Sequence, residues 1–131
     1  ANINIQDLDV IVSGGKGLKK SEHFKMLDEQ VSLLGGGVSA SRAAVDNKWI
    51  GYPHQVGLSG KVVSPKVYLA VGISGSVQHL AGMQTAEFIV AVSKDPEAAI
   101  FRVADLGLCG DLFDLLPRII DAIKSSKGDG G

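Results

Sequence analysis

Residues 71 to 83, VGISGSVQHLAGM, run from an apolar stretch into a corner of glycine and serine and then into a short helical pattern. Ser74, Ser76, Gln78 and His79 gather two hydroxyls, an amide and an imidazole there. A helix start adds unpaired backbone N–H groups and a partial positive charge, and Gly75 would let a ligand approach the backbone. The chemistry such a corner serves most directly is anion binding, phosphate first. Lys16 in GGKGL, Arg42 in SASR, Ser59 in GLSGK and Asp111 in CGD are further polar residues beside glycines or small side chains.

Each of these has a plainer use. GGKGL can be a tight turn after a strand, Ser59 a turn serine, and His79 a histidine held in the first turn of a helix. Arg42 can pair with Asp46 across one helical turn, a contact of about 0.3–0.5 kcal/mol. His23 and His54 have no partners at metal-ligand spacing, and no nucleophile elbow supports hydrolysis. Cys109, the single cysteine, has no disulfide partner and fits a reducing compartment.

The elements that must position these residues alternate between β-like and helical patterns. LDVIVSGG (8–15) reads as a buried strand, VSAS (38–41) as a short one, KVYLAVGI (66–73) and EFIVAVS (87–93) as strands, and FRVAD (101–105) as a last short strand. A helix capped by Ser21 follows the first strand through Phe24, Leu27, Val31 and Leu34 and stops at Gly35, Gly36 and Gly37. SVQHLAGM is a short helix, and residues 111–124 are helical by period, with Pro117 expected to kink the helix or open its second half. Residues 45–65 carry no helical pattern and form a long functional loop. This is an α/β, doubly wound, mostly parallel sheet with helices on both faces, of Rossmann-like dinucleotide-binding type. Such sheets bind ligands at the carboxyl ends of their strands, and polar, glycine-rich segments follow nearly every strand here. One phosphate would not need so many; a dinucleotide would.

Bulk properties narrow the partners. A chain of 131 residues with 45% apolar content supports one folded domain over residues 8–124, preceded by a linker-like segment at 1–7 and followed by a flexible tail at 125–131. The chain opens on Ala1, which with the polar lead fits a piece of something longer. Thirteen basic against fourteen acidic residues, with no basic cluster, leave no footprint for nucleic acid, and no apolar run is long enough for membrane insertion.

Taken in order, VIVSGGKGLK, ASRAAVD, QVGLSGKVVSPKVYLAVGISGSVQHLAGM and AVSKDPEAAIFRVADLGLCGDLF resemble the carboxyl-terminal FAD-binding domain of the electron transfer flavoprotein alpha subunit family. The resemblance runs over about residues 8 to 124 and implies FAD as the cofactor, with its pyrophosphate at the SGSVQH corner. It puts Ser74, Gly75, Ser76, Val77, Gln78 and His79 along the phosphate and flavin side, His79 toward the pyrimidine carbonyl. Val56, Gly57, Leu58 and Ser59 would form a loop against the isoalloxazine, with Ser41 and Arg42 beside the ring system. Lys16, Ser93, Asp111 and Leu112 would serve the phosphate, ribose and adenine end. Lys16 stands where the family has arginine, Leu58 where it has glutamine and Ser93 where it has asparagine, changes that trade a planar fork, an amide and a longer reach for simpler contacts.

The same resemblance implies an electron carrier and not an enzyme. Its partners would be a beta subunit, flavoprotein dehydrogenases and a redox acceptor. Its location would be cytoplasmic in a bacterium and the mitochondrial matrix in a eukaryote. Self-association of the isolated chain through a vacated edge is a further expectation. The residues alone leave two other readings open: a nicotinamide-dinucleotide-binding domain of an oxidoreductase, and an apo interaction fragment that has lost its cofactor without its partner.

Overall fold

The computed structural model describes residues 4–129. Its strands are β1 (Val10–Gly14), β2 (Gly37–Ala40), β3 (Val67–Val71), β4 (Phe88–Ser93) and β5 (Leu106–Cys109). They pair in parallel in the order β2-β1-β3-β4-β5. The first four strands are runs rich in Val, Ile, Leu and Ala, buried on both faces along nearly their whole length, as a covered parallel sheet requires. The chain steps outward from β1 to β2 and then returns to lay β3 on the other side of β1. The order therefore reverses between β1 and β3, and a crevice opens at their carboxyl ends.

Helices α1 (Ser21–Ser32) and α4 (Leu112–Asp129) cover one face. Phe24, Leu27 and Val31 of α1 meet Leu116 and Ile120 of α4 over Val12, Leu69 and Val90. Helix α3 (Val77–Met83), the 56–63 loop and two 3-10 turns cover the other face, where Ile11, Tyr68, Ala70 and Ile89 pack on Val56, Val63, Met83 and Ile100. Helix α2 (Arg42–Asp46) is a single short element at the end of β2. The long segment 45–65 holds only a 3-10 turn, Tyr52–His54, beyond the end of α2.

Several local expectations change. Residues 101–105 are not a strand: Ala99–Arg102 form a 3-10 turn, and the last strand follows at Leu106. Burial of Ile100 pulls the chain into that turn, and Asp105 then engages Ile89 through both backbone and carboxylate to start β5. The helix after β1 begins at Ser21 itself, with Lys20 at the cap position and no side-chain cap. In the segment expected as a linker, Ile5–Asp7 form a 3-10 turn and Ile5 is fully buried in the second core. Helix α4 runs unbroken through Pro117 as far as Asp129, well into the expected tail; Gly130 and Gly131 lie outside the described residues. Pro117 is exposed, so its ring lies on the outer side of the helix while Leu116 and Ile119 hold the helix to the sheet.

Candidate functional site

A cavity of about 650 Å³ lies along the carboxyl edge, spanning the ends of β2, β1, β3 and β4. Three strand spacings make that edge roughly 14 Å long, a groove for an elongated ligand. At the β2 end stand Ser41 and Arg42. Ser41 caps α2, its hydroxyl accepting the Ala44 N–H at 3.4 Å. Arg42 lines the cavity and also reaches Asp46 at 3.5 Å, so its plainer use and its place in the site coexist.

After β1, Lys16 and Gly17 enter the cavity from a 3-10 turn, and Lys19 follows it in a left-handed conformation. The glycines of GGKGL allow backbone to meet backbone. Gly17 donates to the Gly72 carbonyl at 3.0 Å, and a Cβ on Gly17 would sit 2.8 Å from the Gly72 Cα. The turn reading of this motif therefore holds, and the turn carries two lysines to the crevice.

After β3, Gly72, Ile73, Ser74, Gly75, Ser76, Gln78 and His79 form the middle wall. Gly75 has φ +90°, and a Cβ there would lie 2.4 Å from Ile100 N, so this glycine is needed to seat the 3-10 turn whatever binds outside. The Ser76 hydroxyl caps α3 by accepting the His79 N–H at 3.3 Å. The loop with Gln55, Val56, Gly57 and Ser59 is pinned onto α3, Leu58 N–H donating to the Gln78 carbonyl at 2.9 Å. Gln55 Nε2 donates to Ser59 Oγ at 3.1 Å, which orients that hydroxyl.

After β4 come Ser93, Lys94 and Asp95, with Ala98 and Leu112 closing the far end. Ser93 Oγ accepts the Asp95 N–H at 3.1 Å. Four cations, Lys16, Lys19, Arg42 and Lys94, thus face one carboxylate, Asp95, along the groove. The potential suits an anionic ligand.

His79 is buried, with its Nε2 2.9 Å from the Tyr68 hydroxyl, while Nδ1 has no hydrogen-bond partner. Burial pushes its pKa down to about 4, with a smaller opposing pull from the Val56 backbone, so the ring is neutral near pH 7. Burial likewise holds the Tyr68 phenol well above its ordinary range, the Ser13 and Ser39 hydroxyls countering slightly without reaching hydrogen-bond geometry.

Leu58, Val77 and Asp111 are the expected site residues that the cavity does not include. Leu58 and Val77 are exposed, Val77 as the first residue of α3 and Leu58 tied by its backbone to Gln78 next to it. Asp111 caps α4, its Oδ1 accepting the N–H groups of Phe113 at 2.8 Å and Asp114 at 3.2 Å. Lys19, Gln55, Lys94 and Asp95 line the cavity without having been expected. All lie within the segments quoted for the family resemblance, so extending the site to every polar residue of those segments would have found them. Among the described residues no group of His, Cys, Asp and Glu could hold a metal ion.

The fold and groove define a doubly wound domain with a dinucleotide-sized, anion-attracting crevice at its switch point. A family model described as the electron transfer flavoprotein FAD-binding domain matches residues 4–84, and the chain belongs to that family. FAD is the cofactor of the family's domain. The chain is 58% identical over 118 residues to the mitochondrial electron transfer flavoprotein subunit alpha of Dictyostelium discoideum, 90% of this chain and 33% of that protein. It is 52% identical over 128 residues to the electron transfer flavoprotein subunit alpha of Megasphaera elsdenii, 96% of this chain and 38% of the relative. The subunit alpha of Thermoanaerobacterium thermosaccharolyticum is 50% identical over 125 residues, 95% and 38% of the two chains. The chain thus spans between 33% and 38% of these relatives' length.

Proposed function

We propose that this chain is the FAD-binding part of an electron transfer flavoprotein alpha subunit, an electron carrier and not a catalyst of substrate turnover. The observation that carries the reading is the groove itself: four strand ends in line, cations along it, and a buried imidazole nitrogen with no protein partner. That donor set fits an elongated dianionic cofactor with a polar ring. FAD, when bound, supplies reversible one-electron and two-electron chemistry.

The chain's own residues hold and tune it. Lys16, Lys19 and Lys94 offer charge to a pyrophosphate, with the backbone from Ser74 to Val77 beside it. Gln55 and Ser59 present a braced hydroxyl at one end of the groove. Arg42 sets a permanent cation there, which favours a ring bearing negative charge, and neutral His79 adds a hydrogen bond without a second charge. Ser93 and Leu112, with the capped Asp111 nearby, form the adenosine end. Residues 4–129 act as one unit in this reading, Ile5 and the whole of α4 included.

The name "subunit alpha" borne by the relatives supports a beta subunit as the partner, set against the exposed Leu58 and Val77. Donor dehydrogenases and an acceptor protein complete the electron path. The work would be done in the mitochondrial matrix or the bacterial cytoplasm according to source, in line with the mitochondrial and bacterial relatives.

Titration of the purified chain with FAD tests the reading. Quenched flavin fluorescence and a retained yellow spectrum are expected, with no comparable binding of a reduced nicotinamide dinucleotide. Saturable nicotinamide binding with no flavin binding would replace it with the oxidoreductase reading.

A further inference from the structure

His79 is held from behind by the sheet. Tyr68, on β3, is fully buried and places its hydroxyl 2.9 Å from His79 Nε2. Tyr68 is level with Ile11, and Ser13 is level with both Ala70 and Ser39, so Tyr68, Ser13 and Ser39 share one face of the sheet. Both serines are fully buried, and neither hydroxyl has a hydrogen-bond partner. Around them that face is apolar, with Ile11, Val56, Ile73 and Met83 among its residues. A polar island inside an apolar core is costly, and its presence calls for a role.

Proton bookkeeping within the island has one good solution. The Tyr68 O–H has a single partner at hydrogen-bond geometry, His79 Nε2. Were Nε2 to carry the proton, the phenolic hydrogen would have to turn to Ser13 or Ser39, whose oxygens lie near the phenol but outside hydrogen-bond geometry, and the bond to the imidazole would lose its best acceptor. With Nε2 accepting, the ring's remaining proton sits on Nδ1, a buried atom with no partner at hydrogen-bond geometry in a residue that lines the groove, the Val56 backbone lying near the ring.

We propose that Tyr68 is a positioning residue for His79: its hydroxyl donates to Nε2 and fixes the neutral tautomer with the proton on Nδ1, the donor left for a carbonyl oxygen of the flavin. The last clause rests on the FAD reading; the tautomer does not. Burial lowers the ring's proton affinity against a smaller opposing pull from the Val56 backbone, so the ring is neutral and its tautomer is what Tyr68 sets. The groove then holds two distinct devices, Arg42 as a fixed cation and His79 as an uncharged donor of set direction. Ser13 and Ser39, beside the phenol oxygen, leave room for it and add no competing acceptor at bonding geometry.

Nitrogen-15 NMR of the imidazole in the chain without flavin decides the tautomer. The proton is expected on Nδ1 in the wild type, with the Nε2-protonated form gaining population in Tyr68→Phe. FAD titration should show about three- to tenfold weaker binding for Tyr68→Phe, the scale of one neutral hydrogen bond. That loss should vanish when Tyr68→Phe is made in a His79→Gln background. A wild-type ring protonated on Nε2 would overturn the proposal, and so would a tautomer or an affinity unmoved by Tyr68→Phe. Because the wild-type spectrum reads the tautomer directly, it tests the proposal even if the variant folds poorly. A wild-type chain with the expected tautomer but no affinity for FAD would uphold Tyr68 as the positioner of His79 and sink the flavin reading instead.

Discussion

At the scale of residues, what matters is which charges are permanent and which are withheld. The Arg42 side chain is 70% exposed and shares its charge with Asp46, so its pull on a ring beside it is screened. Arg42→Ala in the complete protein should lower the potential of the first electron step by on the order of tens of millivolts, with Arg42→Lys in between, as read by potentiometric titration. An unchanged potential would remove Arg42 from the redox role. His79 is the opposite case, a charge kept out by burial. Its folded pKa of about 4 lies below the ordinary 6.5, so the unfolded chain binds the proton more readily. Its stabilising contribution is complete above pH 6.5 and is lost as pH falls toward 4, by up to about 3 kcal/mol. Urea unfolding across that window should show the decline, and His79→Gln should flatten it.

At the scale of elements, glycines decide how closely the pieces of the site approach. Gly82 on α3 touches the 56–63 loop: a Cβ there would lie 2.4 Å from the Gly57 nitrogen. Gly82→Ala should therefore push the loop from α3, cost about 1–3 kcal/mol in urea unfolding and weaken FAD binding together. Loss of neither would mean that the loop can shift freely. Gly75 is a poorer place to probe phosphate contact, because its positive φ and its contact with Ile100 make any side chain a structural insult. Pro117 offers a change in the other direction. It occupies an exposed helix interior and removes one backbone hydrogen bond, so Pro117→Ala should stabilise the chain by about 1–3 kcal/mol in the same measurement, without altering FAD affinity.

At the scale of the whole molecule, the site is an edge shared by four strands and only partly enclosed by this chain. Val77 is 79% and Leu58 72% exposed beside the start of α3, so both can be changed without touching the core. Val77→Ser should leave unfolding within about 0.5 kcal/mol of the wild type. If the beta subunit seats there, the same variant should weaken association of the two subunits, measured by sedimentation; equal association would move the partner elsewhere. Calorimetry should further show ADP binding this chain nearly as well as it binds the complete protein, whereas FAD binds the complete protein more tightly.

The sheet was legible in the sequence because parallel strands covered on both faces must be nearly continuous apolar runs, and VIVSG, VYLAV and FIVAVS are such runs. So was the edge where ligands gather, since glycine and small polar residues end those runs. FRVAD misled because its alternation imitates a strand, while the real last strand, LGLC, carries a glycine and is largely exposed, and only the burial of Ile100 and the Asp105 contact with Ile89 separate the two. Ile5 and Pro117 were misread for a related reason: one buried isoleucine in a polar lead, or one proline facing water, changes meaning with what lies beneath it. The hydrogen bond from Tyr68 to His79 was out of reach altogether. Composition gives a tyrosine in a strand and a histidine in a helix, but which nitrogen is covered and which left free depends on register across three strands and on the pitch of a helix packed over them. The chain's local chemistry names the candidates; only packing decides whose polar atoms are spent inside the protein and whose remain for a ligand.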